Sequence, residues 1–131
     1  KSSRRWLVET LSSSVLINEG QLQFKLKALP LAAQFSRISA VIAGDFDSDG
    51  TGDLLLAGNF FPYTVRIGRA DAGLGLLMKG QDKDMHAITA AESGFYADGD
   101  VRKMVMLKTK TGRVVLIARN NDQLKMFRVN Q

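Results

Sequence analysis

Short apolar segments recur along the chain, and many contain β-branched residues and are bounded by Gly, Asn or Asp. Segments of this length and composition favour strands over helices. We predict strands at residues 38–43, 54–57, 74–78, 104–107, 114–118 and 124–129, with less regular ones at 6–8, 15–17, 24–26 and 85–89. The one stretch with helical character, around residues 87–93, is too short for a stable helix by itself. The pattern therefore predicts an all-β protein.

Two of these predicted strands are apolar without alternation, Leu-Leu-Leu-Ala at residues 54–57 and Val-Val-Leu-Ile-Ala at residues 114–118. A strand with one face in water alternates apolar and polar residues, whereas a strand covered on both faces does not. We therefore expect both segments to lie inside stacked sheets. Trp6 and the five methionines are also expected in the core.

An internal repeat accompanies the strand pattern. Phe35 precedes a Gly-Asp pair at Gly44, and Phe95 precedes a second such pair at Gly99. The spacing of about 55 to 60 residues, with about four strands in each unit, matches one blade of a β-propeller.

Composition narrows the range of functions. The chain has 131 residues, 45% of them apolar, and no cysteine, which excludes disulfides, thiolate metal sites and cysteine nucleophiles. No apolar run reaches the roughly 18 residues of a membrane span. His86 is the only histidine, and neither a phosphate-binding loop nor a nucleophile elbow nor a zinc motif is present. We therefore predict that the protein is not an enzyme.

The net charge of +5 is concentrated near the end of the chain, where residues 99–131 carry eight basic and two acidic side chains. A basic tail could bind nucleic acid. Here, however, the charges alternate with apolar residues, as on the solvated side of β-hairpins, and lack the interleaved aromatic residues that stack on bases. We expect no nucleic-acid partner.

An acidic loop carries the strongest chemical signal. Residues 45–53 read Asp-Phe-Asp-Ser-Asp-Gly-Thr-Gly-Asp, with carboxylates at positions 1, 3, 5 and 9. Four carboxylates this close repel one another unless a cation lies among them. Calcium takes six to eight oxygen ligands in flexible geometry, whereas magnesium prefers a strict octahedron with several waters. Gly50 stands where such a loop turns sharply.

The helical EF-hand has the same initial spacing but requires a glutamate at position 12 and helices on both sides. Position 12 is Leu56, and predicted strands flank the loop. The sequence therefore predicts one strand–loop–strand calcium site.

Residues 44–59, with the sequence GDFDSDGTGDLLLAGN, resemble the FG-GAP/VCBS repeats of integrin α-subunit propellers and their bacterial relatives. Segments 29–35, 68–72 and 118–122 are also similar to the bacterial type, and the resemblance extends roughly over residues 12–130. It implies a β-propeller, usually seven-bladed, whose calcium loops join the first two strands of a blade. The metal positions it implies here are Asp45, Asp47, Asp49, Thr51 through its carbonyl, and Asp53.

The repeat length and the resemblance together divide the chain into outer strands of one blade (1–35), a calcium-loop blade (36–95) and a partial following blade (96–131). Residues 100–103, Asp-Val-Arg-Lys, stand where the last unit would carry its acidic loop, so one calcium is expected. Roughly two blades fall short of the four to eight of a closed propeller. We expect a piece of a larger propeller, or a chain whose missing blades come from another copy of itself.

The resulting functional expectation is a calcium-binding, non-enzymatic interaction or adhesion module, extracellular or in the cell envelope, with a protein or glycan ligand. The alternative is a scaffold or substrate-binding part of a carbohydrate-active enzyme. Phe60, Phe61 and Arg69 are the candidate ligand-binding residues, because aromatic rings and an arginine on a loop suit a sugar or a protein contact.

Overall fold

The computed structural model describes residues 3–81 and 84–129 of the chain. Within these ranges it forms nine strands and two short helical turns. The strands are β1 (Ser14–Gly20), β2 (Gln23–Ala28), β3 (Ile38–Gly44), β4 (Asp53–Gly58), β5 (Leu76–Gln81), β6 (Asp84–Ile88), β7 (Val101–Thr109), β8 (Gly112–Arg119) and β9 (Lys125–Val129). A 3₁₀ turn covers Leu31–Gln34, and the helix α1 covers Ala90–Ser93. Neither helical turn in the described ranges has the length and apolar character needed to cross a membrane.

The strands form three antiparallel sheets in chain order: the hairpin β1–β2, the four-stranded middle sheet β3-β4-β5-β6 and the three-stranded last sheet β7-β8-β9. These sheets lie within residues 1–35, 36–95 and 96–131, respectively. Within each sheet every strand pairs with its neighbour along the chain, as antiparallel pairing allows. The prediction of an all-β protein is confirmed.

The middle sheet lies between two apolar clusters. Leu55 and Ala57 of β4 pack against the last sheet, whereas Leu56 contacts the cluster on the hairpin side, where Met78 is fully buried. Consecutive residues of a strand point to opposite faces, so a strand in this position must be apolar at every residue. The prediction that residues 54–57 are covered on both faces is confirmed.

The described residues cover only one of the two faces of the last sheet. Val115 and Ile117 of β8 are fully buried against the middle sheet, whereas Leu116 between them is half-buried. Met126 of β9 is 67% exposed. The prediction that residues 114–118 are covered on both faces is therefore wrong for the outer face of β8. The prediction that all five methionines lie in the core is wrong for Met126.

Trp6 is also outside the core. It is 77% exposed in a segment without strand pairing, and the guanidinium of Arg4 lies 4.6 Å from its ring centroid. The predictions of a strand at residues 6–8 and of a buried Trp6 are wrong, because an apolar triplet forms a strand only where another strand supplies hydrogen bonds.

The predicted helical stretch forms a single turn. Thr89 caps α1 by accepting a hydrogen bond from the N–H of Glu92, whose carboxylate accepts one from the N–H of Thr89. The hydroxyl of Thr89 also donates to this carboxylate (2.8 Å), and this bond, together with the one from the N–H of Thr89, lowers the pKa of Glu92. Gly94, with φ of 71°, ends the turn in the left-handed conformation that glycine tolerates. Residues 85–88 instead belong to β6.

The middle and last sheets repeat the same local structure at the end of their second strand. The N–H of Asn59 donates to the carbonyl of Arg37 (2.9 Å), and the N–H of Asn120 donates to the carbonyl of Asp100 (2.8 Å). Each bond joins the residue after the second strand to the residue before the first. Asn59 and Asn120 are therefore equivalent positions of a structural repeat.

This equivalence corrects the alignment that matched Gly44 with Gly99. Gly44 ends β3, whereas Gly99 precedes β7. The connection of the last sheet that corresponds to the acidic loop is the tight turn from Thr109 to Gly112, which contains Lys110. Residues 100–103 lie at the opposite end of that sheet, so they do not replace the acidic loop.

Candidate metal site in the β3–β4 loop

The acidic loop joins the end of β3 to the start of β4 and brings three of the predicted ligands together. One carboxylate oxygen from each of Asp45, Asp47 and Asp49 lies within 4.8 Å of the other two. Asp45 is half-buried, and the other two are exposed. Ligands at about 2.3–2.6 Å from one calcium ion are separated by at most about 5 Å. These three oxygens are therefore spaced as ligands of a single ion would be.

Backbone hydrogen bonds to the carboxylates hold the loop in this shape. Asp45 accepts from the N–H of Ser48 (2.6 Å) and of Gly50 (3.1 Å), and Asp49 accepts from the N–H of Thr51 (2.7 Å). Ser48 and Gly50 have φ of 63° and 84°, which lets the chain turn inward twice. The side chains of this loop therefore organise its own backbone, as Asp does in tight turns.

Lys79 of β5 supplies a positive charge at this cluster. Its ammonium forms an ion pair with Asp47 and lies 3.7 Å from the Oδ2 of Asp49. The hydrogen bond to Asp47 raises the pKa of Lys79. Hydrogen bonds from Thr51, together with the charge of Lys79, lower the pKa of Asp49. Sequence reasoning missed Lys79, because no spacing relates β5 to the acidic loop.

Asp53, the fourth acidic residue of the loop, has a different environment. It is fully buried, its Oδ2 accepts from the N–H of Phe46 (2.9 Å), and its Oδ1 accepts from the N–H of Gly80 (3.0 Å). It lies outside the group of three converging carboxylates. Asp53 therefore anchors both the start of the loop and the end of β5.

Thr51 and Arg113 make further connections between the loop and its surroundings. The hydroxyl of Thr51 lies 2.5 Å from Oδ1 of Asp49 and 2.7 Å from the carbonyl oxygen of Gly80, and its single proton can be donated to either. The guanidinium of Arg113, on β8, donates to the carbonyl of Asp45 over 2.9 Å. The loop is therefore hydrogen-bonded to β5 of its own sheet and to the neighbouring sheet.

The candidate ligand residues of the β4–β5 connection lie in a group of aromatic and arginine side chains. The guanidinium of Arg69 lies 4.7 Å from the ring centroid of Phe61. The rings of Phe60 and Tyr63 meet edge-to-face with their centroids 4.9 Å apart. The guanidinium of Arg102 lies 5.4 Å from the ring centroid of Phe60. The structure brings Phe61 and Arg69 into contact, and cations already lie over both phenylalanine rings.

Asn59 is a second buried polar centre that the sequence indicated only as a turn residue. Its side-chain oxygen accepts from Ser36 Oγ (2.7 Å) and from the N–H of Gly73 (2.9 Å). Its amide nitrogen donates to the carbonyls of Gly73 (2.8 Å) and Gly99 (3.0 Å). One side chain thereby joins the segments that precede β3, β5 and β7. An Asn after a strand-ending Gly is the only sequence signal of this role.

The fold and the site together define an all-β protein of stacked antiparallel sheets with an acidic strand–loop–strand site. Comparison with protein-family models, with curated proteins and with solved structures finds no match to this chain.

Proposed function

We propose that this chain is a calcium-binding, non-enzymatic β-propeller segment that acts as an interaction or adhesion module outside the cell or in its envelope. The observation that carries the proposal is the convergence of Asp45, Asp47 and Asp49 in a loop between two paired strands. Turn propensity explains one or two aspartates in a loop, but not three oxygens spaced as ligands of one ion.

A bound calcium ion would act as a local cross-link. The loop backbone is already hydrogen-bonded to β5 through Asp53 and to β8 through Arg113. An ion held by the three converging carboxylates would remove their mutual repulsion and lock the end of the middle sheet against the last sheet. It would stabilise the fold by RT ln(1 + [Ca²⁺]/Kd).

The calcium concentration outside cells supports the proposed extracellular or cell-envelope setting. Extracellular modules bind calcium with Kd values of about 10⁻⁴–10⁻³ M, which match the calcium concentration outside cells. A calcium ion bound by the converging carboxylates would hold them in the ionised form, which leaves no acid to donate a proton in catalysis. The site therefore favours a structural role for the ion.

Thermal unfolding of the EDTA-treated protein tests the metal site. Added calcium is expected to raise the melting temperature by several degrees, since millimolar calcium is about 10 Kd for a Kd of about 10⁻⁴ M and contributes about 1.4 kcal/mol. Asp47→Asn combined with Asp49→Asn should abolish the rise, because two of the three converging ligands lose their charge. Magnesium at equal concentration should give a smaller rise.

The matched control is Asp71→Asn, which removes one carboxylate from an exposed position outside the loop. This variant should respond to calcium as the wild type does. A wild-type melting temperature that is the same in EDTA and in millimolar calcium would contradict the proposal.

Lys79→Met should tighten calcium binding. The ammonium lies between Asp47 and Asp49, where an entering ion must displace it or share its ligands. Because calcium is divalent, removing one unit charge about 4 Å away in water corresponds to roughly a thirty-fold change in affinity before salt screening, so the calcium Kd should fall by up to about that factor. Isothermal titration calorimetry measures it, with Lys110→Met, in the β7–β8 turn, as the control. An unchanged or higher Kd would show that Lys79 does not compete with the ion.

A further inference from the structure

The last sheet presents an apolar outer face. Val105, Leu116 and Met126 lie side by side across its three strands, because Val105 pairs with Leu116 and Leu116 pairs with Met126. This face is opposite to the one that packs against the middle sheet, and Met126 is 67% exposed on it. We call these three residues the tail face. No described residue of the chain forms a core cluster with them.

The tail face corresponds position by position to a face that is covered elsewhere in the chain. Ile42, Leu55 and Leu77 lie side by side across the middle sheet in the same way, and all three pack against the last sheet. Ala40 pairs with Ala57, and the equivalent residue of the last sheet, Lys103, pairs with Ala118. Ile42 and Val105 each lie two residues further along their strands, so these two residues are also equivalent. The tail face is therefore the surface on which this architecture stacks its next sheet.

The opposite end of the stack presents the complementary surface. Leu16 pairs with Leu26 across the hairpin, and Phe24 lies two residues from Leu26 on the same face. We call these three residues the head face. Val15 points the other way and packs against the middle sheet. Leu16 and Leu26 are 63% and 55% exposed, so the head face has no covering sheet among residues 3–81 and 84–129.

We propose that a second copy of this chain docks its head face on the tail face, which continues the stacking of sheets from one molecule to the next. Both halves of the sheet-on-sheet interface are present on one chain, so two copies supply each half with its partner. Each half offers three apolar side chains, as the covered face of the middle sheet does. This association is independent of the proposed calcium site.

Charge favours head-to-tail over tail-to-tail pairing. Lys103 and Arg128 lie on the same side of the last sheet as the tail face, by register with Ala118 and Val114. Two tail faces would bring these cations together. The lysines of the hairpin lie on the opposite side from the head face, because Lys27 pairs with Val15 and Lys25 pairs with Ile17. A head-to-tail contact is heterologous, so it closes into a ring or continues as a chain.

Two substitutions at exposed positions separate these arrangements. Leu26→Asp disables the head face and leaves the tail face intact, and Met126→Asp does the reverse. Molar mass is measured by size-exclusion chromatography with light scattering from micromolar to near-millimolar protein, in EDTA and in calcium. Val65→Asp, in an exposed loop outside both faces, is the control. Circular dichroism confirms that each variant is folded, and Leu16→Asp and Val105→Asp provide a second pair.

The wild type and Val65→Asp should associate to at least twice the mass of one chain at high concentration. Leu26→Asp alone and Met126→Asp alone should be monomeric. An equimolar mixture of the two should form a dimer, because the intact tail face of the first meets the intact head face of the second.

Two results would overturn the proposal. A wild type that stays monomeric at every concentration would assign the two faces to flanking sheets of a longer polypeptide. Retained association in Leu26→Asp, with loss in Met126→Asp and no recovery on mixing, would establish tail-to-tail pairing instead.

Discussion

Replacing Asn59 by alanine should lower the free energy of unfolding by about 3–5 kcal/mol. Asn59 is 1% exposed, and its side chain makes four hydrogen bonds, to Ser36 Oγ, to both backbone groups of Gly73 and to the carbonyl of Gly99. Each buried backbone group that loses its partner costs about 1–3 kcal/mol. Asn59 also has φ of 78°, a conformation that alanine tolerates less well than asparagine.

Urea unfolding followed by circular dichroism, in EDTA, measures this loss. The control is Asn120→Ala, the equivalent position of the last sheet, where the side chain is exposed and makes one long hydrogen bond to Asp100 (3.3 Å). It should cost less than about 1 kcal/mol. Asn59→Asp should also destabilise, because a carboxylate oxygen would face two carbonyl oxygens in place of the donating amide. An Asn59→Ala variant as stable as Asn120→Ala would contradict the role assigned to this network.

Asp53→Ala should cost about 3–4 kcal/mol in the absence of calcium. The carboxylate is fully buried and accepts hydrogen bonds from the N–H of Phe46 and the N–H of Gly80, which would both be left unpaired. Asp53→Asn keeps one acceptor oxygen but turns an NH₂ group toward the other N–H, so it should cost roughly half as much. The hydrogen bonds of Asp53 therefore stabilise the fold before any ion binds.

The measurement is again urea unfolding in EDTA, where no ion contributes to stability. Asp47→Asn is the matched control, because Asp47 is an exposed carboxylate of the same loop. It should leave the metal-free stability within about 1 kcal/mol of the wild type. If Asp53→Ala lost stability only in the presence of calcium, the buried hydrogen bonds would not be the source of its effect.

Strand positions were predictable from the sequence to the extent that their causes are local. Residues 38–43 and 114–118 lie inside β3 and β8, because a short apolar run between turn residues has few other stable conformations. Residues 6–8 have a similar local pattern and form no strand, because no strand in the described part of the chain pairs with them. Local pattern therefore predicted strand tendency but not the presence of a pairing partner.

The candidate metal site was predictable for the same reason. Asp45, Asp47 and Asp49 lie within five consecutive residues, so their spacing is visible in the sequence and survives folding. Lys79 and Arg113 contact the loop from distant strands, and no local pattern predicts such contacts. The network at Asn59 was missed because its partners come from three separate segments.

The sequence by itself determined an all-β chain with an acidic loop between two strands, since apolar periodicity and aspartate spacing act over a few neighbouring residues. Only the tertiary structure decided which face of each sheet is covered. Leu55 and Leu116 are equivalent and equally apolar, yet Leu55 is buried because a following sheet stacks on it, whereas no described sheet covers Leu116. Burial depends on what packs against a residue from elsewhere in the molecule, and that information is not local to the residue.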